Sequence, residues 1–280
     1  MVQSAILDTL GPLASALMDA ISQLIGMGNP QDAYTASHAD LVKYATYAGL
    51  AYQTTDAWPA SRTVPKDTTL ISSFDHTLKG SSGYIAFNEP CKEIIVAYRG
   101  TDSLIDWLTN LNFDKTAWPA HISNSLVHEG FLNAYLVSMQ QVQETVDSLL
   151  AKCPDATISF TGHSLGGALA CISMVDAAQR HGGIKMQLFT YGQPRTGNQA
   201  FAEYVENLGH PVFRVVYRHD IVPRMPPMDL GFQHHGQEVW YEGDENIKFC
   251  KGEGENLTCE LGVPFSELNA KDHSEYPGMH

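Results

Sequence analysis

The stretch 157–170, TISFTGHSLGGALA, holds the residues best placed to do chemistry. Ser164 lies between Gly162 and Gly166 in the pattern G-x-S-x-G. Ile158 and Phe160 alternate with polar residues, as in a buried strand, and Ala168-Leu169-Ala170 favours helix. The pattern therefore reads as strand, sharp turn, helix, with the serine in a strained backbone conformation on the turn. The residues two positions either side must be small, because a Cβ there would strike the adjoining strand or helix. The turn lifts the hydroxyl above the sheet edge and sets it at a helix N-terminus, where free amides and the helix dipole favour negative charge. This is the setting of a nucleophile. A glycine-rich loop that held serine by chance would lack the strand before it and the helix after it.

A serine hydroxyl is a poor nucleophile near neutral pH. It needs an imidazole to take its proton and a carboxylate to orient that imidazole. In α/β-hydrolases the chain order is serine, acid, histidine, each on a loop after a strand. Asp220 follows the strand-like run VFRVVY and precedes Ile221-Val222-Pro223, so it is the best-placed acid. Asp229 is the second choice and has no strand before it. His210, His219, His234, His235, His273 and His280 all follow the serine. His163, held inside the turn, cannot reach round to serve its neighbour. Attack by Ser164 would create an oxyanion that needs preorganised donors. One is the backbone N–H of Leu165. Another is expected from a loop after a second strand, and Arg99-Gly100-Thr101 ends the apolar run EIIVAY.

TGHSLGGALA, together with YRGT at 98–101, VHEGF at 127–131, YGQPRTGN at 191–198 and DIVP at 220–223, resembles the fungal class 3 lipases. Feruloyl esterases are more distant kin. The resemblance runs from about residue 35 to the C-terminus, and the ordered set of motifs makes it specific. It implies an α/β-hydrolase fold: a mostly parallel central sheet flanked by helices, with a short helical lid. DIVP points again to Asp220. KDHSEY matches the family's near-terminal H-x-x-Y pattern and so selects His273, whereas FQHHGQEVWY, with His234 and His235, resembles a non-catalytic strand segment. His128 in VHEGF is expected to be structural, and Asp272 to be a surface charge. Thr101 matches the family's RGS/RGT, where N–H and hydroxyl both serve the oxyanion. Many members carry an aspartate nine residues later to hold that side chain; here the position is Asn110.

Residues 103–112, SLIDWLTNLN, bear on the substrate. Leu104, Trp107, Leu108 and Leu111 fall on one face of a helix. The resemblance places a mobile lid here, able to cover the site in water and open onto oil, and Trp107 favours lipase over feruloyl esterase. The reading is thus a triacylglycerol lipase working through an acyl-serine at an oil–water interface. A feruloyl-type or soluble-ester carboxylesterase is the alternative, and a non-catalytic lipid-binding relative is the alternative of another class. The mechanism needs no cofactor, and no metal-ligand set is apparent. The protein is expected to be a monomer.

Of 280 residues, 44% are hydrophobic, enough for one large core. The net charge of −14 opposes nucleic acid. No run is long enough to span a bilayer. The first residues lack a positively charged leader with a continuous apolar core. Cys250 and Cys259 flank a polar, Gly-rich loop that a small disulfide would pin. That favours secretion, as does the glycosylation sequon Asn256-Leu257-Thr258 within the loop. A second bridge is conceivable. Cys91 lies nine residues before Gly100 and Cys153 nine before Gly162, so parallel neighbouring strands would set them level. Cys171 is expected to be a buried thiol.

Residues 1–30 form a separate amphipathic segment, with apolar residues at 6, 10, 13, 17, 21 and 24 and a linker after Ile25. Residues 31–280 form a single lipase domain. Within it, helices are predicted over 38–52 and 131–153 and after Ser164. Strands are predicted at 69–74, 82–88, 93–98, 187–191 and 212–217 and before Ser164. Strands alternating with helices indicate parallel pairing.

Overall fold

The computed structural model describes residues 30–53, 64–101, 103, 109–110, 112–244, 246–250, 252 and 254–279. The amphipathic segment lies outside these residues except for Pro30, as do the lid residues Leu104, Trp107, Leu108 and Leu111. Helix α1 (His38–Leu50) opens on a capping box, in which Ser37 Oγ accepts from Asp40 N and the Asp40 carboxylate accepts from Ser37 N, both at 3.1 Å. Then come β1 (Thr68–His76), β2 (Ser81–Asn88), β3 (Glu93–Tyr98), the short β4 (Lys115–Ala117) and β5 (Leu126–His128), and α2 (Glu129–Lys152). The chain continues with β6 (Thr157–His163), α3 (Leu165–Arg180), β7 (Met186–Tyr191), α4 (Gln199–Glu206), β8 (Val212–Tyr217), β9 (Gln237–Tyr241) and β10 (Ile247–Cys250).

Eight strands form one sheet in the order β1-β2-β3-β6-β7-β8-β9-β10. From β3 to β9 all pairings are parallel. β1, β2 and β3 pair antiparallel at one edge, and β9 and β10 at the other. The mostly parallel sheet flanked by helices is as expected. β3 shows why it holds. Ile94, Val96 and Tyr98 belong to the core cluster beneath α2 and α3, and Ile95 and Ala97 to the cluster beneath α1. All five are fully buried. An apolar run covered on both faces is stable only inside such a layered sheet.

The predicted helices and strands lie within a few residues of those observed. β4, β5, α4 and β10 were not anticipated, because such short elements carry too few residues to show a period. No helix among the described residues is long and apolar enough to cross a membrane.

Cys250 and Cys259 form a disulfide, with Cα atoms 6.3 Å apart. Cys171 is a buried free thiol, as expected. Cys91 and Cys153 are also free, contrary to the bridge considered for them. The strands are parallel neighbours, but Ile94 stands opposite Ile158. Level cysteines would need Ile94 opposite Ala156. The actual register is displaced by two residues, about 6.6 Å along a strand. Cys153 ends α2 and its thiol faces the Asp155 carboxylate instead.

Candidate active site

Ser164 joins β6 to α3 with φ 58° and ψ −133°, a conformation that L-residues rarely adopt. Both neighbouring glycines are required. A Cβ on Gly162 would lie 2.2 Å from the Gly166 carbonyl oxygen, and one on Gly166 would lie 2.3 Å from that of Tyr98 in β3. The turn is held from the next strand, where Tyr191 O accepts the Ser164 N–H at 2.9 Å. Leu165 is the first residue of α3, so its N–H is among those a helix leaves without an internal partner. Thr101 follows β3 by way of Arg99 and Gly100, and its hydroxyl is buried without a hydrogen-bond partner among the described residues. Asn110 is exposed and does not hold it. A cavity of about 200 Å³ lies against Thr101 and Leu165, with the β1–β2 turn at Thr77 and Gly80 as another wall.

Asp220 lies just past β8 and is fully buried. Its Oδ1 accepts the N–H of Val222 at 2.9 Å. Its Oδ2 meets His273 Nδ1 at 2.7 Å and the Tyr276 hydroxyl at 2.6 Å. A carboxylate only accepts, so His273 Nδ1 donates, and in the neutral ring the lone pair falls on Nε2. That nitrogen is buried and makes no hydrogen bond. Burial, with the Asp220 carboxylate beside it, pushes the Tyr276 hydroxyl well above the ordinary tyrosine range, so it remains a donor. Gly192 (φ 57°) seats the pair: a Cβ there would lie 2.7 Å from both Asp220 Oδ2 and His273 Cε1. Because Gly192 follows Tyr191, the serine turn and the His273 ring rest on the same two residues of chain.

Asp272 is not a surface charge. It is buried, and its Oδ2 accepts the N–H of His219 at 3.1 Å and the Asn269 side chain at 2.9 Å. Asn269 in turn pairs alongside Asp220, its N–H donating to the His219 carbonyl at 2.9 Å and its carbonyl accepting the Ile221 N–H at 3.2 Å. The histidine loop is thereby sewn to the end of β8. Arg224, two residues past Val222, grips both carboxylate oxygens of Glu260 at 2.8 and 2.9 Å. Arg195, from the YGQPRTGN stretch, pairs with Glu255 and donates to the carbonyls of Arg224 and Pro226. Glu255 lies between the two linked cysteines and Glu260 just beyond them, so the disulfide loop braces the loop that carries Asp220.

The other candidates are placed elsewhere. His234 Nε2 donates to the Pro223 carbonyl at 2.8 Å, and His235 Nε2 accepts from Gln193 at 2.8 Å. His128 caps α2 by accepting the Phe131 N–H at 3.2 Å, and its Nε2 donates to the Asn112 carbonyl. Asp229 is exposed. Among the described residues one cluster has metal-ligand composition, Glu238 with Cys250 and Cys259, but both sulfurs are spent in the disulfide. The parts missed from sequence are Tyr276, Asp272 and Gly192. The H-x-x-Y pattern and the stretch YGQPRTGN contained two of them without assigning a role.

The family model described as Lipase (class 3) matches residues 95–230. A lipase of Rhizopus niveus is 34% identical over 256 residues, covering 87% of this chain and 64% of that protein. A secreted mono- and diacylglycerol lipase of Fusarium solani is 34% identical over 71% of this chain and 62% of its own length. A solved triacylglycerol lipase, described as having a serine protease triad for its catalytic centre, superposes with a TM-score of 0.80 at 31% identity. The match covers 88% of this chain and 97% of that one. The chain belongs to the class 3 lipase family. The chain spans less than two thirds of the length of the curated relatives above, but nearly the whole of the solved one.

Proposed function

We propose that this class 3 lipase hydrolyses acylglycerol esters through an acyl-Ser164 intermediate. The observation that carries the reading is the buried Asp220–His273 pair seated on Gly192, with the strained serine turn held by the preceding residue, Tyr191. Ser164 Oγ attacks the ester carbonyl carbon as His273 Nε2 takes its proton. The carbonyl oxygen becomes an oxyanion that accepts from the Thr101 N–H and hydroxyl and the Leu165 N–H. On collapse the alcohol leaves with the proton from His273. Water then repeats the sequence on the acyl-serine, and the acid departs. Asp220 stays ionised throughout and stabilises the imidazolium.

The relatives' substrates support acylglycerols, and the helical spacing of Leu104, Trp107, Leu108 and Leu111 in the sequence supports a lid that opens at a lipid interface. The disulfide and the secreted Fusarium relative support an extracellular site of action.

An activity series on emulsified and soluble esters of graded chain length tests the reading. A steep rise in rate once an acylglycerol forms an emulsion is the expected result. Hydrolysis of soluble aromatic esters alone would make the protein a feruloyl-type esterase. No hydrolysis of any ester, with no fluorophosphonate labelling of Ser164, would leave a lipid-binding relative.

A further inference from the structure

His273 sits in a C-terminal stretch that has only short 3-10 turns after the disulfide, at Glu260–Gly262, Phe265–Glu267 and Asp272–Ser274. Asp220 fixes its ring, yet a ring is only as well placed as the backbone that carries it. A second set of bonds acts on that backbone. His163 Nε2 lies 2.8 Å from the carbonyl oxygen of His273. Across the same ring, His163 Nδ1 lies 2.8 Å from the Tyr52 hydroxyl. The Tyr52 oxygen accepts the N–H of Gly100 at 3.2 Å.

The directions of these bonds follow from elementary bookkeeping of donors. A carbonyl oxygen only accepts, so His163 Nε2 carries the proton. In the neutral ring Nδ1 then holds the lone pair, and Tyr52 donates to it. The chain runs Gly100 N–H to Tyr52, Tyr52 O–H to His163, His163 N–H to His273. One end is the residue before Thr101. The other is the backbone of His273. The middle is the residue before Ser164. Packing follows the same line: the His163 and His273 rings lie 4.3 Å apart at 33°. A Cβ on Gly100 would lie 2.4 Å from the Tyr52 hydroxyl and 2.9 Å from Ser164 Cβ.

We infer that Tyr52 and His163 are positioning residues for ester hydrolysis, coupling the oxyanion turn at Gly100–Thr101 to the general base through the residue next to the nucleophile. The inference rests on Ser164, Asp220 and His273 acting as the triad. A rigid neutral imidazole suits the task, because it donates at one edge and accepts at the other with no torsion between them. Misplacing a catalytic group by about 1 Å can cost on the order of a hundredfold in rate. Neither residue touches the ester in this scheme, so their loss should lower kcat and leave KM nearly unchanged.

The test uses the whole chain and a soluble ester, p-nitrophenyl butyrate, which removes the interface from the kinetics. Wild type, His163→Leu, His163→Gln, Tyr52→Phe and the double variant Tyr52→Phe/His163→Leu are compared by kcat, KM, thermal midpoint and rate of fluorophosphonate labelling. His163→Leu is expected to lose at least about tenfold in kcat and in labelling rate, with KM within about twofold. His163→Gln, whose amide still donates to the His273 carbonyl, should recover most of the loss. Tyr52→Phe keeps its ring and should fold normally. It should lose about three- to tenfold, and the double variant should be little worse than His163→Leu alone, as members of one chain require. A kcat within twofold of wild type in His163→Leu, or a double loss equal to the product of the single losses, would overturn the inference. Were wild type itself unlabelled at Ser164, the triad reading would fail first, and the two failures are thus told apart.

Discussion

The Tyr276 hydroxyl and His273 Nδ1 share one oxygen of Asp220, at 2.6 and 2.7 Å. The other oxygen takes the Val222 N–H, so a fully buried carboxylate has three donors and no solvent. Hydrogen bonds to charged groups are each worth about 1.5–3 kcal/mol. Tyr276→Phe should therefore destabilise the protein by about that amount. It should also lower kcat, because the ring of His273 loses part of its anchor. Denaturant unfolding and steady-state kinetics on one preparation check both effects. Wild-type stability in the variant would show the bond to be dispensable.

The turn at Ser164 predicts an inverted stability order. Alanine is normally better tolerated than glycine, but at φ 58° a Cβ is strained. Ser164→Gly should be more stable than Ser164→Ala by about 1 kcal/mol, with both inactive. Gly166→Ala should unfold at a far lower temperature, since its methyl would meet the Tyr98 carbonyl oxygen at 2.3 Å. The usual order at position 164 would mean that the turn is relaxed in solution.

The proposed triad of Ser164, Asp220 and His273 would act as a unit, so their losses should not multiply. Ser164→Ala is expected to lower kcat by at least about a thousandfold. Asp220→Asn and His273→Ala should each be severe, yet add little in the Ser164→Ala background. His234→Ala and His235→Ala should be far milder, since both rings serve as buried braces. A folded His235→Ala as inactive as His273→Ala would reassign the base.

Burial, and then the Arg214 guanidinium, push His235 down to about 3. In the unfolded chain its imidazole titrates near 6.5. Below that pH the unfolded state binds a proton that the folded state refuses. This group's contribution to stability is therefore lost as pH falls from about 6.5 towards 3. His235→Gln removes the titration and keeps an acceptor for Gln193. On acidification wild type should lose more stability than the variant, by up to about 1.4 kcal/mol per pH unit below 6.5. Parallel stability–pH curves would show that His235 is not held neutral.

Thiol counting tests the strand register directly. With only Cys250–Cys259 joined, denatured unreduced protein should titrate three thiols, those of Cys91, Cys153 and Cys171. A single thiol, with Cys91 and Cys153 found linked by peptide mapping, would require a register other than Ile94 opposite Ile158. Replacing Cys250 and Cys259 by serine should cost about 2.5 kcal/mol on the chain-entropy model. Activity should fall with it, because the loop that braces Arg195 and Arg224 loosens.

The residues of TISFTGHSLGGALA determine their own turn, because a strand and a helix meeting at one residue leave space only for glycine two positions away. The two-faced burial of EIIVAY was likewise legible, since five successive apolar residues after Glu93 have nowhere to go but the middle of a layered sheet. Asp220 stood out as the candidate acid because it follows a strand, and the structure pairs it with His273. His273 could be chosen from six later histidines only by its likeness to a family pattern. What the tertiary structure alone decided are the relationships between distant stretches. The two-residue offset between β3 and β6 kept Cys91 and Cys153 apart, and no count along the chain could reveal it. Asp272 looked like a surface charge and is buried, because the loop holding it folds back on the end of β8. His163 looked locked away from the chemistry, and its ring instead reaches the His273 backbone 110 residues further on. Local sterics act between neighbours and can be read from order and spacing. Register, loop closure and donor–acceptor pairing across the sheet depend on the whole chain packing at once.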